Sequence, residues 1–221
     1  MDRIWIEKFK NEIGEMYPQR RKHIRKARER INNKEFTLIS SNCMGGLIYH
    51  NLGLKFNSPT INMQMYTNEY YNFVMNLEEY LSKEIIFIEP DEGVPVGILG
   101  DMKIHFTHYR TNEEALEKWN ERKKRVNLDN LYVLFNDKDG ITEEQIRSLV
   151  NLKCKNLCVF TSKEYPDLSY TFCVKKYLGK PCVGNLLKKS KFTGLREFEQ
   201  VFDYVKWLNS TKDEKINYYN S

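Results

Sequence analysis

The sequence predicts a three-layer α/β/α domain built on a largely parallel, Rossmann-like sheet, with a helical extension at its N-terminus. Three observations predict it. Short apolar runs of strand character recur at residues 36–40, 85–88, 131–135, 156–161 and 170–174. Between most of them lie segments with apolar residues at spacings of three and four, the period of a helix buried on one side. The runs are continuously apolar rather than alternating, as strands covered on both faces are. The 221 residues suit one compact domain, and 41% hydrophobic residues with 13% aromatics supply its core. Residues 1–33 are expected to form the helical extension, 34–208 the core, and 209–221 a polar tail.

Trp5, Phe9, Ile13 and Met16 make one stripe of a first helix, which Pro18 ends or re-aims. A basic helix follows to about Ile31, and the run from Gln19 to Arg30 carries much of the net charge of +5. Such a run is a solvated helix face or a patch for phosphates and lipid headgroups, so peripheral membrane contact from Arg20 to Arg30 is an expectation. Stacking aromatics are absent from it, and a nucleic-acid partner is not expected. After the strand at 36–40, Gly45-Gly46 opens a short helix to Leu52, and Asn57-Ser58-Pro59 is a turn. Asn68 is expected to cap one helix through Leu81, followed by the strand at 85–88. Residues 94–99 and 102–109 flank Gly100-Asp101 as a hairpin, an antiparallel addition to the sheet. Capping boxes at Thr111-Asn112-Glu113-Glu114 and Thr142-Glu143-Glu144-Gln145 start helices on either side of the strand at 131–135. A helix over 195–208 closes the domain.

Composition excludes several classes. No apolar run approaches the roughly 18 residues that span a bilayer, and the N-terminus lacks the basic-then-apolar order of a secretory signal. The five cysteines (Cys43, Cys154, Cys158, Cys173, Cys182) are odd in number and suit reduced thiols, so a cytoplasmic location is expected. Cys154 and Cys158 have neither a second pair nor a nearby histidine, and no metal site is expected. The glycines fit no dinucleotide fingerprint or phosphate loop. Asp137-Lys138-Asp139-Gly140 does not keep EF-hand spacing.

Ligands bind such sheets beyond the carboxyl ends of the strands, which singles out three segments. In the loop Ser41-Asn42-Cys43-Met44-Gly45-Gly46, glycines allow close approach and a helix N-terminus offers free N–H groups. A cysteine there is expected to have a depressed pKa and act as nucleophile, or else to be a small buried residue beside a tight turn. His105 and His108 would point to opposite faces of a strand, so only one of them serves a given site as base. His50, two helical turns after Cys43, is a third choice. Asp137 and Asp139 follow a strand and are able to orient a histidine, hold a metal or bind a sugar hydroxyl. Arg122 and Arg125 favour the end of their helix and are candidates for a phosphate.

Several runs together resemble a bacterial family described as exopolysaccharide or capsular polysaccharide biosynthesis proteins, some of them as acyltransferases. They are residues 39–49 around Cys43, Asn57-Ser58-Pro59-Thr60, Ile104-His105-Phe106-Thr107-His108-Tyr109, Lys118-Trp119 with Arg122 and Arg125, and Asp129-Asn130-Leu131 through Asp139-Gly140. The likeness covers roughly residues 36–175. It implies a three-layer α/β fold and a place in surface-glycan assembly, with Cys43, His105 and Asp139 as site candidates. Met44 stands where that family commonly has an aromatic residue. The Asn42-Cys43 turn is also similar to that of polysaccharide acyltransferases that use acetyl-CoA, which implies an acyl-CoA donor. The expected reaction is O-acyl transfer to a sugar. Cys43 is nucleophile or oxyanion-loop residue, His105 or His108 the base, and Asp137 or Asp139 the orienter. Ser41, Asn42, Gly45, Gly46, Arg122, Arg125, Asn130 and Asp137 contact substrate. The alternatives are a glycosyl- or phosphoglycosyl-type transferase with a metal at the Asp137–Asp139 loop, and a non-catalytic glycan-assembly accessory protein.

Overall fold

A computed structural model describes residues 17–91 and 93–211. The helix expected over 2–16 and most of the tail lie outside them. Pro18 stands at the first position of α1 (Pro18–Arg30), where its fixed φ and missing N–H cost nothing. In chain order there follow β1 (Thr37–Ser40), α2 (Met44–Leu52), α3 (Thr67–Met75), α4 (Leu77–Ser82), β2 (Ile85–Asp91), β3 (Val94–Leu99) and β4 (Met102–His105). Then come α5 (Asn112–Lys123), β5 (Leu131–Asn136), α6 (Glu143–Ser148), β6 (Asn156–Thr161), β7 (Thr171–Cys173), α7 (Glu197–Val201) and α8 (Tyr204–Leu208).

The main sheet has the order β1-β5-β6-β7, and every pairing is parallel, with Leu38 beside Tyr132, Leu134 beside Cys158 and Phe160 beside Phe172. Alternate residues of its central strands supply two separate cores. Tyr132, Leu134, Cys158 and Phe160 pack with Ala27, Ile48, Phe198 and Trp207 from α1, α2, α7 and α8. Leu131, Val133, Phe135, Leu157 and Val159 pack on the other face with Tyr70, Phe73, Trp119 and Ile146. Both faces are therefore covered by helices, as the continuous apolar runs require.

The free edge of β1 is closed by side chains rather than by another strand. The Tyr49 hydroxyl donates to Phe36 O (2.8 Å) and accepts the Leu38 N–H (3.0 Å). Thr37 Oγ1 donates to Asn57 O, and Thr60 Oγ1 accepts the Ser40 N–H, so the 57–60 turn lies along that edge.

Four expectations are corrected in detail. β2, β3 and β4 form an antiparallel sheet of their own rather than extending the main one, because each is joined to the next by a hairpin turning at Gly93 or Gly100, both at positive φ. The helix expected from Asn68 to Leu81 starts with Tyr66 as its cap and is two helices, broken at Asn76. The strand expected to reach Tyr109 stops at His105: Phe106 still donates its N–H to Pro95 O, but Pro95 has no N–H to return the bond, and Tyr109 turns back onto Phe106 O. The closing helix breaks where Phe202 adopts an extended conformation and buries its ring against Phe160 and Phe172. Asp203 then caps α8 by accepting the Lys206 N–H.

Candidate functional site

β1 ends at Ser40, and the chain turns through Ser41-Asn42-Cys43 into α2 at the carboxyl edge of the main sheet. Two side chains hold the turn. Asn42 Oδ1 accepts the Met44 N–H (2.9 Å), and Ser40 Oγ accepts the Gly45 N–H (3.0 Å) while donating to Asn42 O (2.7 Å). A Cβ on Gly45 would stand 2.7 Å from Ser40 Oγ, which is why this position needs glycine. A Cβ on Gly46 would meet Ile61 only at ordinary contact distance. The loop's helix-start amides are thus partly engaged within the loop: those of Met44 and Gly45 face protein acceptors. Ser41 fixes the turn from outside by accepting the Met65 N–H.

Cys43 is the N-cap residue of α2 and half-buried. Its Sγ lies 3.3 Å from Nε2 of His108, a residue 65 positions later. With the imidazole proton on Nδ1, Nε2 accepts the thiol hydrogen. The structure therefore brings His108, not His105, to the thiol. His105 is held in place elsewhere: its backbone exchanges two hydrogen bonds with Gln64, and its ring meets the Tyr66 ring edge-on at 5.6 Å.

The electrostatics correct one expectation. Burial pushes the Cys43 thiol above its ordinary value, with the Arg196 guanidinium opposing, so the helix start does not leave a resting thiolate. Burial also pushes His108 below its ordinary value. The resting pair is a neutral thiol on a neutral imidazole. That is a hydrogen-bonded acid and base. Arg196 sits 153 positions beyond Cys43 in sequence, and nothing in the local pattern points to it.

The remaining candidates are distributed. Asp137 leaves β5 at the same carboxyl edge, but both its oxygens are engaged: Oδ2 accepts from Ser162 N and Oγ, and Oδ1 accepts the Val183 N–H (2.7 Å). It fastens two later passes of the chain to the end of β5, and a metal there would have to displace three hydrogen bonds. Asp139 lies in the Lys138–Gly140 turn, and its side chain lies outside the described residues. Arg122 is buried, donating to the Tyr109 hydroxyl and to Ile61 O. Arg125 donates twice to Phe56 O and pairs with Glu121. Both arginines anchor loops. Asn130 precedes β5 and exchanges amide hydrogen bonds with Asn33 at the amino edge of the sheet, about 20 Å of strand away from the Cys43 end.

The basic helix is also partly structural. Arg20 is 2% exposed, donating to Glu199 (2.8 Å), to Asn51 Oδ1 (3.0 Å) and to Gly194 O (3.2 Å). Arg30 pairs with Asp203. Arg21, Lys22, Arg25 and Lys26 remain exposed. Among the described residues, no helix is long and apolar enough to cross a membrane.

A cavity of about 10 Å³ lies between the Ser40–Asn42 turn and the ends of β5 and β6, lined by Met44, Phe135, Asn136 and Phe160 among others. It holds no more than about one water.

These features define an α/β protein with a cysteine–histidine pair at the carboxyl edge of a parallel sheet. The chain belongs to the DUF1919 family, described as a domain of unknown function, whose model matches residues 15–209. It is similar to an uncharacterised protein of Haemophilus influenzae, 37% identical over 185 residues, which cover 84% of this chain and 89% of that one.

Proposed function

We propose that this protein is a cysteine-dependent acyltransferase that modifies a sugar hydroxyl during assembly of a capsular or exopolysaccharide precursor. The observation that carries the chemistry is the 3.3 Å contact between Cys43 Sγ and His108 Nε2 at a strand end. The glycan acceptor is supported by the sequence resemblance around Cys43, His108 and Asp137. The five free cysteines support a cytoplasmic setting.

The reaction runs in two halves. His108 Nε2 takes the thiol proton as Sγ attacks the carbonyl carbon of an acyl thioester such as an acyl-CoA. The tetrahedral adduct collapses, the C–S bond to the donor breaks, and the departing thiolate takes the proton from the imidazolium. The acceptor hydroxyl then gives its proton to His108 as its oxygen attacks the Cys43 thioester, and the second collapse returns that proton to the Cys43 sulfur. Arg196 favours negative charge near Cys43. A base whose pKa lies below the ordinary histidine value stays unprotonated at neutral pH, which both halves need.

Full-length protein incubated with acetyl-CoA and quenched in acid should carry one acetyl group on Cys43 by intact-mass and peptide mass spectrometry. Cys43→Ala should carry none and should hydrolyse no acetyl-CoA above background. Equal turnover by that variant would overturn the mechanism.

A further inference from the structure

The face of α1 that does not join the cores carries a second site. Arg21, Arg25 and Arg28 recur at intervals of four and three, so they line one face of the helix. With Ile24 as floor, His50 of α2 as wall and Glu29 at the rim, they bound a groove of about 390 Å³. That volume is within the roughly 300–1,000 Å³ of small-molecule sites. One arginine is already positioned: Arg28 Nε donates to Asn51 O (2.7 Å) and Nη2 to His50 O (3.4 Å) at the carboxyl end of α2. Those two contacts use two of the five N–H groups of its fork. Arg25 stands 3.9 Å from Glu29 with both side chains largely in solvent, a weak pair that a stronger anion displaces. His50 is surrounded by positive charge: burial, then Arg28, then Arg20 push its pKa down.

We infer that this groove binds a phosphate ester, with the Arg21, Arg25 and Arg28 guanidinia as its ligands. Planar forks match phosphate oxygens two at a time, and three arginines line this one concave surface. The groove lies at the carboxyl end of α2 and Cys43 at its amino end, seven residues or about 10 Å of helix apart. It is therefore an anchoring site separate from the reacting pair and independent of the acyltransferase reading. The same headgroup chemistry is presented by a soluble diphosphate ester or by a phosphorylated lipid.

The test is calorimetric titration of full-length protein with inorganic pyrophosphate, beside co-sedimentation with vesicles of phosphatidylglycerol or of phosphatidylcholine alone. Two double variants of equal charge change are compared. Arg21→Glu with Arg25→Glu alters the groove. Lys22→Glu with Lys26→Glu alters exposed positions of α1 outside it. Losing two charge-assisted contacts should weaken pyrophosphate binding at least about tenfold in the groove variant, and less than about twofold in the other. Pyrophosphate binding alone, lost in the groove variant, identifies a soluble ester. Pyrophosphate and phosphatidylglycerol binding lost together identify a lipid headgroup. No pyrophosphate binding, equal weakening by both variants, or vesicle binding without pyrophosphate binding would each overturn the inference.

Discussion

The two ends of α2 handle polar groups in opposite ways. Near its carboxyl end, Arg20, Asn51 and Glu199 are almost wholly removed from solvent, and Glu199 alone accepts from Arg20, from Asn51 Nδ2 (2.6 Å) and from the Arg196 N–H (2.6 Å). At its amino end, half-buried Cys43 and exposed His108 meet at 3.3 Å, each with its charged form disfavoured by burial. A buried ion pair supplied with several hydrogen bonds fixes structure, because breaking it leaves a charge stranded. A thiol and an imidazole held at hydrogen-bond distance, both neutral and open to one side, remain free to exchange a proton.

Substitutions should therefore separate the two ends cleanly. The largest effect expected is from Cys43→Ala, which removes acetyl transfer altogether while midpoints of urea unfolding stay close to wild type. Next, His108→Gln keeps a polar side chain but loses the base, and single-turnover acylation at pH 7 should slow by about 10²–10⁴-fold. Glu199→Ala works the other way: it strands Arg20, and urea denaturation should give a loss of about 3–5 kcal/mol, with the remaining folded fraction still acylated at Cys43. Gly45→Ala forces a Cβ onto Ser40 Oγ and should cost about 1–3 kcal/mol, measured in the same way, because the Ser40 hydroxyl must leave the Gly45 N–H.

The smallest effect expected is on pH dependence, and it draws on both ends. Burial is the leading cause that lowers the pKa values of His23, His50 and His108 below the ordinary 6.5. The unfolded chain then binds more protons than the folded one as pH falls through 6.5, so stability present above that value is lost below it. Melting temperatures should be flat above about pH 7 and fall by a few degrees by pH 5.5, with His108→Gln reducing the fall. A melting temperature that rises on acidification over this window would contradict the assignment of neutral buried imidazoles.

Much of the scaffold was legible in the sequence because it is local. The strands of the main sheet are continuous apolar runs, and the Thr142 capping box forms as its spacing predicts, with Thr142 and Gln145 satisfying each other's backbone. The position of the Cys43 loop followed from the same pattern. Which histidine meets it did not. Where β4 ends is decided by Pro95, which faces Phe106 across the hairpin and has no N–H to return its hydrogen bond, and beyond that point the chain brings His108 to Cys43. Arg20 read as part of an exposed basic run because its partner Glu199 is 179 positions away. Arg122 and Arg125 read as phosphate ligands because their acceptors, Ile61 O and Phe56 O, are backbone atoms that no residue pattern announces.

One feature of the architecture has a practical use. Cys43 is delivered by the edge strand of the parallel sheet, and His108 by the segment leaving the antiparallel one. The Cys43–His108 pair thus straddles a seam between two separately hydrogen-bonded sheets. With Cys154, Cys158, Cys173 and Cys182 replaced by alanine, a thiol-specific reagent applied during refolding would report through Cys43 alone on the moment at which that seam closes.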